Sequence, residues 1–359
     1  LIVDNAVSGS TLNISKTGGT DITVKVTDAS TSASDTLNVV LTNDASTVLA
    51  AGKVTAASVE TFSISLVDAG TGADVAATIE TLELVATSAT KIAVSGNNGL
   101  NLTNAGNTAV TEFDASGVKG DAATDTAANL AVTFTSANTT ASATVKITGG
   151  AGADTLTGDA AKDSISGGAG KDTIDGGAGA DTLSGGDGAD DITAGTGKDS
   201  VSGDAGDDVI TATGGSTTTS DADTLTGGAG NDTFKVSKLV ASLDDDKIVN
   251  VVDKVTDFVA GSDLISAGGT AAAGNLYNAG TVSSSLDGLF SAVASAVTAV
   301  TGAGKTVAAN DVIIFSYNSK TYAFMNEDDT ADGIDVTDVL VELTGVSGTL
   351  AKTDFVFNA

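Results

Sequence analysis

The chain has 359 residues, 46 acidic against 16 basic, and a formal charge of −30. It contains no His, Cys, Pro, Trp, Arg or Gln, so every basic residue is Lys. These absences exclude a Ser-His-Asp triad, imidazole-ligated zinc, a thiolate nucleophile and disulfides, and the charge argues against nucleic acid as a partner. Hydrophobic residues make up 41% of the chain and the mean hydropathy is +0.20, which opposes disorder. No apolar run approaches the roughly 20 residues of a membrane span. The chain opens on Leu1, and its single Met is Met325. It is therefore expected to be part of a longer protein, and no N-terminal signal peptide is visible.

The acids themselves are skewed. Six are Glu (Glu60, Glu80, Glu83, Glu112, Glu327, Glu342), which leaves 40 Asp. Short carboxylates in glycine-rich turns are hard oxygen ligands of the kind calcium takes, whereas charge carried on helix surfaces would favour Glu.

Residues 1–143 read as β-rich, either a solenoid or a sandwich. Apolar and polar residues alternate in Ile22–Val26, Leu37–Val39, Phe62–Leu66, Leu82–Leu84 and Leu130–Phe134. The phrase Val59-Glu60-Thr61-Phe62 returns as Ile79-Glu80-Thr81-Leu82, and the 20-residue spacing suggests one rung of a solenoid. Glu60 and Glu80 are expected to face solvent.

Residues 144–235 hold a nine-residue repeat. Its clearest copies begin with the glycine triplets Gly149, Gly150 and Gly152; Gly167, Gly168 and Gly170; Gly176, Gly177 and Gly179; Gly185, Gly186 and Gly188; and Gly227, Gly228 and Gly230. The repeat keeps Asp at one position (Asp154, Asp163, Asp172, Asp181, Asp190, Asp199, Asp208, Asp223, Asp232) and one apolar residue two places later. The register breaks after Thr211, and residues 212–217 read as an inserted loop. One apolar residue in nine is too few for an ordinary core. Two repeats make one coil, which stacks each Asp about 4.8 Å from the next in its file. Asp154, Asp172, Asp190 and Asp208 then line one edge, and Asp163, Asp181 and Asp199 the other. Carboxylates at that spacing repel unless a cation lies between them, and an all-oxygen donor set selects Ca²⁺.

These residues resemble the RTX family of calcium-binding parallel β-rolls. The resemblance implies several Ca²⁺ ions, each held by turn carbonyls and Asp carboxylates from one turn and from the turn two repeats later. It gives the expected fold class: all-β, a right-handed parallel β-solenoid with an RTX roll, followed by a small C-terminal β segment with one helix.

Residues 236–359 read as roll exit, helix and terminal segment. Val255-Thr256-Asp257-Phe258 and Gly261-Ser262-Asp263-Leu264-Ile265 resemble the terminal strands of such a roll. Phe258 and Leu264 are candidates to cap its open end, and Asp257 and Asp263 to bind a further ion. Asp244-Asp245-Asp246 reads as a solvated turn. A core-facing helix is expected over 283–300, with Leu286, Leu289, Phe290, Val293, Val297 and Val300 at helical spacing. Asn318-Ser319 marks a hairpin between 312–317 and 320–325, and Val339–Leu343 and the residues after Asp354 are strands. Asp328-x-Thr330-x-Asp332-Gly333 has Val339 where a helix-loop calcium site needs Glu, so it is set aside.

Upstream of the repeats, Leu84–Lys91, Gly99–Asn104, Gly106–Thr111, Phe113–Ser116 and Ser136–Thr140 resemble calcium-dependent bacterial surface-layer proteins of the Caulobacter type. That resemblance implies a non-catalytic, cell-surface lattice protein that assembles with copies of itself. It further implies export by type I secretion machinery, with a lipopolysaccharide anchor in an N-terminal part outside this sequence. Two alternatives stay open: the terminal module of a secreted adhesin, and the non-catalytic tail of a secreted hydrolase or epimerase.

Overall fold

A computed structural model describes residues 2–15, 21–26, 34–43, 48–68, 79–120, 128, 130–138, 140, 142–212, 222–236, 252–267, 271–273, 276–282, 289–326 and 338–357. Contacts divide the chain into two units, Leu1–Asp191 and Ile192–Ala359.

In the first unit the strands alternate between two parallel sheets. One holds Ile2–Ala6, Ile22–Val26, Ala50–Thr55, Ile79–Val85, Gly99–Asn104, Val132–Thr135, Thr155–Thr157 and Thr173–Asp175, in that order. The other holds Ser10–Ile14, Thr36–Asn43, Thr61–Asp68, Lys91–Gly96, Glu112–Val118, Thr144–Thr148, Lys162–Ala169 and Thr182–Asp187. The described residues before 144 therefore form a solenoid, and the same stacking runs on into the repeats.

The rungs share a register but not a length. Leu37 stands beside Phe62, Phe62 beside Ile92, Ile92 beside Phe113 and Phe113 beside Ile147. From there Ile147, Ile165 and Leu183 follow at the expected spacing of two repeats. Long coils carry more apolar side chains, and Leu37, Val39, Leu41, Phe62, Ile64, Phe113 and Phe134 are all fully buried. The Phe113 and Phe134 rings stack at 4.0 Å, where the thick coils give way to the thin ones. From Thr155 on, each of the repeat strands turns one large apolar residue inward, such as Leu156, Ile165, Ile174 and Leu183.

Two expectations need correction. Phe62 and Leu82 lie on opposite sheets, so the 20-residue recurrence steps from one sheet to the other and is not one rung. Glu80 is buried at 1% exposure, because two Asn side chains and a backbone N–H reach its carboxylate.

In the second unit, Val209–Thr211, Thr233–Lys235, Leu264–Ser266 and Phe355–Phe357 stack in parallel. Ser200–Ala205, Thr224–Ala229, Lys254–Val255 and Val339–Leu343 do the same on the other sheet. That second sheet then turns antiparallel through Lys320–Asn326 and Asp311–Tyr317, with Leu276–Thr281 at its edge. Asn318 and Ser319 have φ of 50° and 64°, which a tight hairpin with the native twist requires. The helix Leu289–Gly302 lays Ala292, Val293, Ala296 and Val300 on Ile313, Phe315, Phe324 and Leu340, so it is a core-facing helix. Residues 283–288 of the expected helix lie outside the described residues. So do the inserted loop from 213 onward, Asp244–Asp246 and the Asp328–Gly333 motif.

Phe258 and Leu264 do not close an open end. Phe258 is buried with its ring 6.5 Å from that of Phe234, but Ile265 is the inward residue of its strand and Leu264 is half-exposed. Both sheets continue past them into Val339–Leu343 and Phe355–Phe357.

Candidate metal centre

The repeat builds its acidic file from local geometry. A short strand follows each turn, and the Asp stands at the junction, two places before the inward apolar residue. Its carboxylate then turns back over its own turn. The N–H of Gly150 donates to Asp154 Oδ2 at 2.6 Å, and that of Asp159 to Asp163 Oδ2 at 2.9 Å. The first glycine of each repeat makes room for this. A methyl group on Gly149, Gly167 or Gly227 would overlap the carboxylate of Asp154, Asp172 or Asp232. The later turn glycines meet the neighbouring rung instead. Gly188 has φ of +138°, and a Cβ there would run into the carbonyl of Gly170. Gly168 and Gly186 press on Gly150 and Gly168 in the same way, and Gly177, Gly179, Gly228 and Gly230 repeat the pattern on their own neighbours. Gly152 lies against Leu130, while the carbonyls of Gly176 and Gly185 face Gly158 and Gly167. Turn carbonyls and carboxylates thus border the same narrow space.

The other carboxylate oxygen links rungs. In the first unit Asp154 Oδ1 accepts the N–H of Val132, Asp172 Oδ1 that of Asp154 and Asp190 Oδ1 that of Asp172, each at 2.7 Å. On the opposite edge the N–H of Asp163 donates to Asp181 Oδ1 at 2.8 Å. Aspartates two repeats apart are therefore stacked, and Asp172 and Asp181 sit on different edges, as the spacing predicts. In the second unit the N–H groups of Asp199 and Asp208 donate to Asp223 and Asp232, at 2.9 and 3.0 Å. The step there is longer than two repeats, because the insertion after Thr211 lengthens the coil.

The ladder runs further than the glycine repeats. The N–H of Asp223 donates to Asp253 Oδ1, and that of Asp232 to Asp263 Oδ1, both at 3.1 Å. Asp263 also accepts the N–H of Val259 at 2.7 Å, the same turn contact that Asp154 makes. Asp257 stands apart from the file and accepts the N–H groups of Gly227 and Gly228 at 3.0 and 2.8 Å. Asp253 escaped the sequence reading because no glycine triplet announces it. Its only signal is the phrase Asp253-Lys254-Val255-Thr256, which keeps the repeat's Asp and apolar positions.

These carboxylates are buried without enough partners. Asp163 and Asp172 are fully buried, and among the described residues Asp163 Oδ1 and Asp172 Oδ2 have no hydrogen-bond partner. Burial pushes the carboxyls of Asp154, Asp163 and Asp232 up to about 6 and that of Asp172 to about 7, where the charges of Asp154 and Asp190 add to the effect. Asp263 is raised for the same reason. Among the described residues no three acidic side chains converge on one point. A cation here would draw on one or two carboxylates and on turn carbonyls. The donors are all hard oxygens, the orphaned atoms are anionic, and the set fits Ca²⁺.

A pH prediction follows. Each raised carboxyl is neutral in the folded chain at pH values where the unfolded chain has already lost its proton. Stability without calcium is therefore fully present below pH 3.8 and falls as the pH rises through about 6 to about 7. Metal-stripped protein should show more strand by circular dichroism at pH 4.5 than at pH 7.5. Strand content that rose with pH in the absence of calcium would contradict it.

The family model of the RTX calcium-binding nonapeptide repeat, four copies long, matches residues 148–183, 184–219 and 217–235. No curated protein matches the chain. Among the described residues no helix is long and apolar enough to cross a membrane. The chain is an all-β protein of parallel sheets that carries RTX calcium-binding repeats.

Proposed function

We propose that this is a secreted structural protein whose roll folds around Ca²⁺ and which assembles into a two-dimensional lattice on a cell surface. The observation that carries the calcium reading is the file of buried carboxylates with orphaned oxygens at Asp163 and Asp172. The ligands are the carboxylates of Asp154, Asp163, Asp172, Asp181, Asp190, Asp199, Asp208, Asp223 and Asp232, and the carbonyls of the turns that carry the glycine triplets. Asp253 and Asp263 extend the two files by one rung, and Asp257 is a neighbour of the last turn. A bound divalent ion supplies positive charge between stacked anions, and the chain's own part is to hold the carboxylates in register.

The lattice reading draws on the resemblance of roughly residues 55–359 to surface-layer proteins and on a composition without Cys, His or Trp. Catalysis is not part of this reading. Export by type I secretion and an anchor on lipopolysaccharide belong to the same reading.

Calcium should govern assembly as well as folding. If about seven ions bind to the roll, they leave a charge of about −16 on a chain that starts at −30. Close packing of such subunits needs further, weaker ions. Two calcium thresholds are expected, a lower one for strand content and a higher one for light scattering, recorded on one titration. Coincident midpoints at several protein concentrations would reject the separate assembly ions. Electron micrographs of the purified protein should show ordered sheets with calcium and none without it, and disordered aggregates at both thresholds would sink the lattice reading.

A further inference from the structure

The two files of the roll continue below the repeats. On the second sheet, strand register carries the Asp163 position back through Val145, Thr111 and Thr90 to Glu60 and Asp35. On the first sheet it carries the Asp154 position back through Val132 and Leu100 to Glu80. All three acids stand two places before a fully or nearly fully buried strand residue: Leu37, Phe62 and Leu82.

They also make the roll's characteristic contact. The N–H of Asp35 donates to Glu60 Oε2 at 2.9 Å, one rung later in its file. The N–H of Leu49 donates to Glu80 Oε2 at 2.7 Å, again one rung later. This is the step that joins Asp154 to Asp172.

The environments then diverge. Asn43 and Asn98 donate their side-chain amides to Glu80 Oε1 at 2.9 and 3.1 Å, so neutral donors stabilise that anion. Asp35 has no such help. It is 2% exposed, and among the described residues its buried Oδ2 has no hydrogen-bond partner. Its carbonyl accepts the N–H groups of Glu60 and Thr61, at 3.2 and 2.9 Å, which ties the two acidic residues together. Among the described residues no Lys pairs with either carboxylate. A buried carboxylate is costly to ionise unless a cation or hydrogen-bond donors answer it.

We propose that Asp35 and Glu60 hold a divalent cation with hard-oxygen preference, a calcium site in the N-terminal coils well before the matched repeats. It occupies the position that the repeats use, on a longer coil than theirs. Glu80 is the ion-free solution to the same position. This rests on the reading that the roll's own files bind calcium.

The test is a count of bound ions on the full chain, by equilibrium dialysis against Ca²⁺ alone and elemental analysis. Asp35→Asn should lose one ion per chain relative to wild type, Glu60→Gln should lose the same one, and the double variant should lose no more. Glu80→Gln should lose none. Asp163→Asn serves as the roll control. If Asp163→Asn lowers the count and both Asp35→Asn and Glu60→Gln leave it unchanged, this site is overturned and the roll reading stands. If Asp163→Asn also leaves the count unchanged, the roll reading itself fails. Should Asp35→Asn not fold, Glu60→Gln reads the same ion. Thermal melting adds a second discriminator. A cation site makes Asp35→Asn less stable in calcium, whereas a carboxyl that is simply protonated makes it as stable or more so.

Discussion

Withdrawing calcium from the full chain at neutral pH should abolish the strand structure of residues 148–235. Each nine-residue repeat buries one apolar side chain, such as Ile174 or Leu183. That contributes about 1.5–3 kcal/mol, no more than the backbone entropy of two or three ordered residues at about 1–2 kcal/mol each. The same fold brings carboxyls to positions where burial opposes their ionisation, so at pH 7.5 the calcium-free roll must bury bare anions or bind protons. Bound ions reverse both effects. At ten times its dissociation constant one ion adds about 1.4 kcal/mol, and half a dozen together match the whole stability of a typical domain. Residues 35–134 bury Phe62, Phe113 and Phe134 along with many Leu, Val and Ile, and should keep more of their structure. Circular dichroism with and without EGTA, followed by hydrogen exchange, would read this. Protection should vanish over 155–235 first, and a spectrum indifferent to chelation would refute the account.

Replacing Asp172 by Ala should have the largest effect of any single change within the roll. Asp172 accepts the N–H of Asp154 and donates its own to Asp190, both at 2.7 Å, so it joins three rungs. Its loss strands a buried donor, at about 1–3 kcal/mol, and removes a carboxylate from the ion file. At fixed calcium the melting midpoint should fall by about 3–10 °C, and titration calorimetry should find at least one ion fewer. Asp191→Ala is the control. It is exposed, and its backbone N–H donates to the Asp172 carbonyl at 2.9 Å, a contact that Ala keeps. Equal losses in the two variants would show that the file is not what holds the roll.

The roll was legible in the sequence because glycine and aspartate recur there in fixed phase, and both are demanded by backbone geometry at each turn. The coils before it were half-legible. Alternation reveals that Phe62–Leu66 or Ile22–Val26 are strands, but their parallel neighbours follow at uneven separations along the chain, which leaves no period to detect. That is why Glu60 and Glu80 read as successive rungs when they head strands on opposite sheets. Asp253 was hidden for a related reason. No glycine triplet precedes it in the sequence, so only the strand half of the motif remains. The hairpin at Asn318-Ser319 and the helix packed on it were visible because each rests on local rules.

The ladder of carboxylates also has an arrow. Within each unit the donor always belongs to the earlier rung and the acceptor to the later one, from Val132 and Asp154 through to Asp232 and Asp263. The two ends are therefore chemically unlike. Trimming the chain from its beginning frees a carboxylate, which water or a salt ion satisfies at once. Trimming from the far end, at Asp263, takes away the carboxylate to which the Asp232 amide donates. A chain that emerges N-terminus first thus carries an unanswered amide on its newest turn, and each turn that arrives answers the one before it.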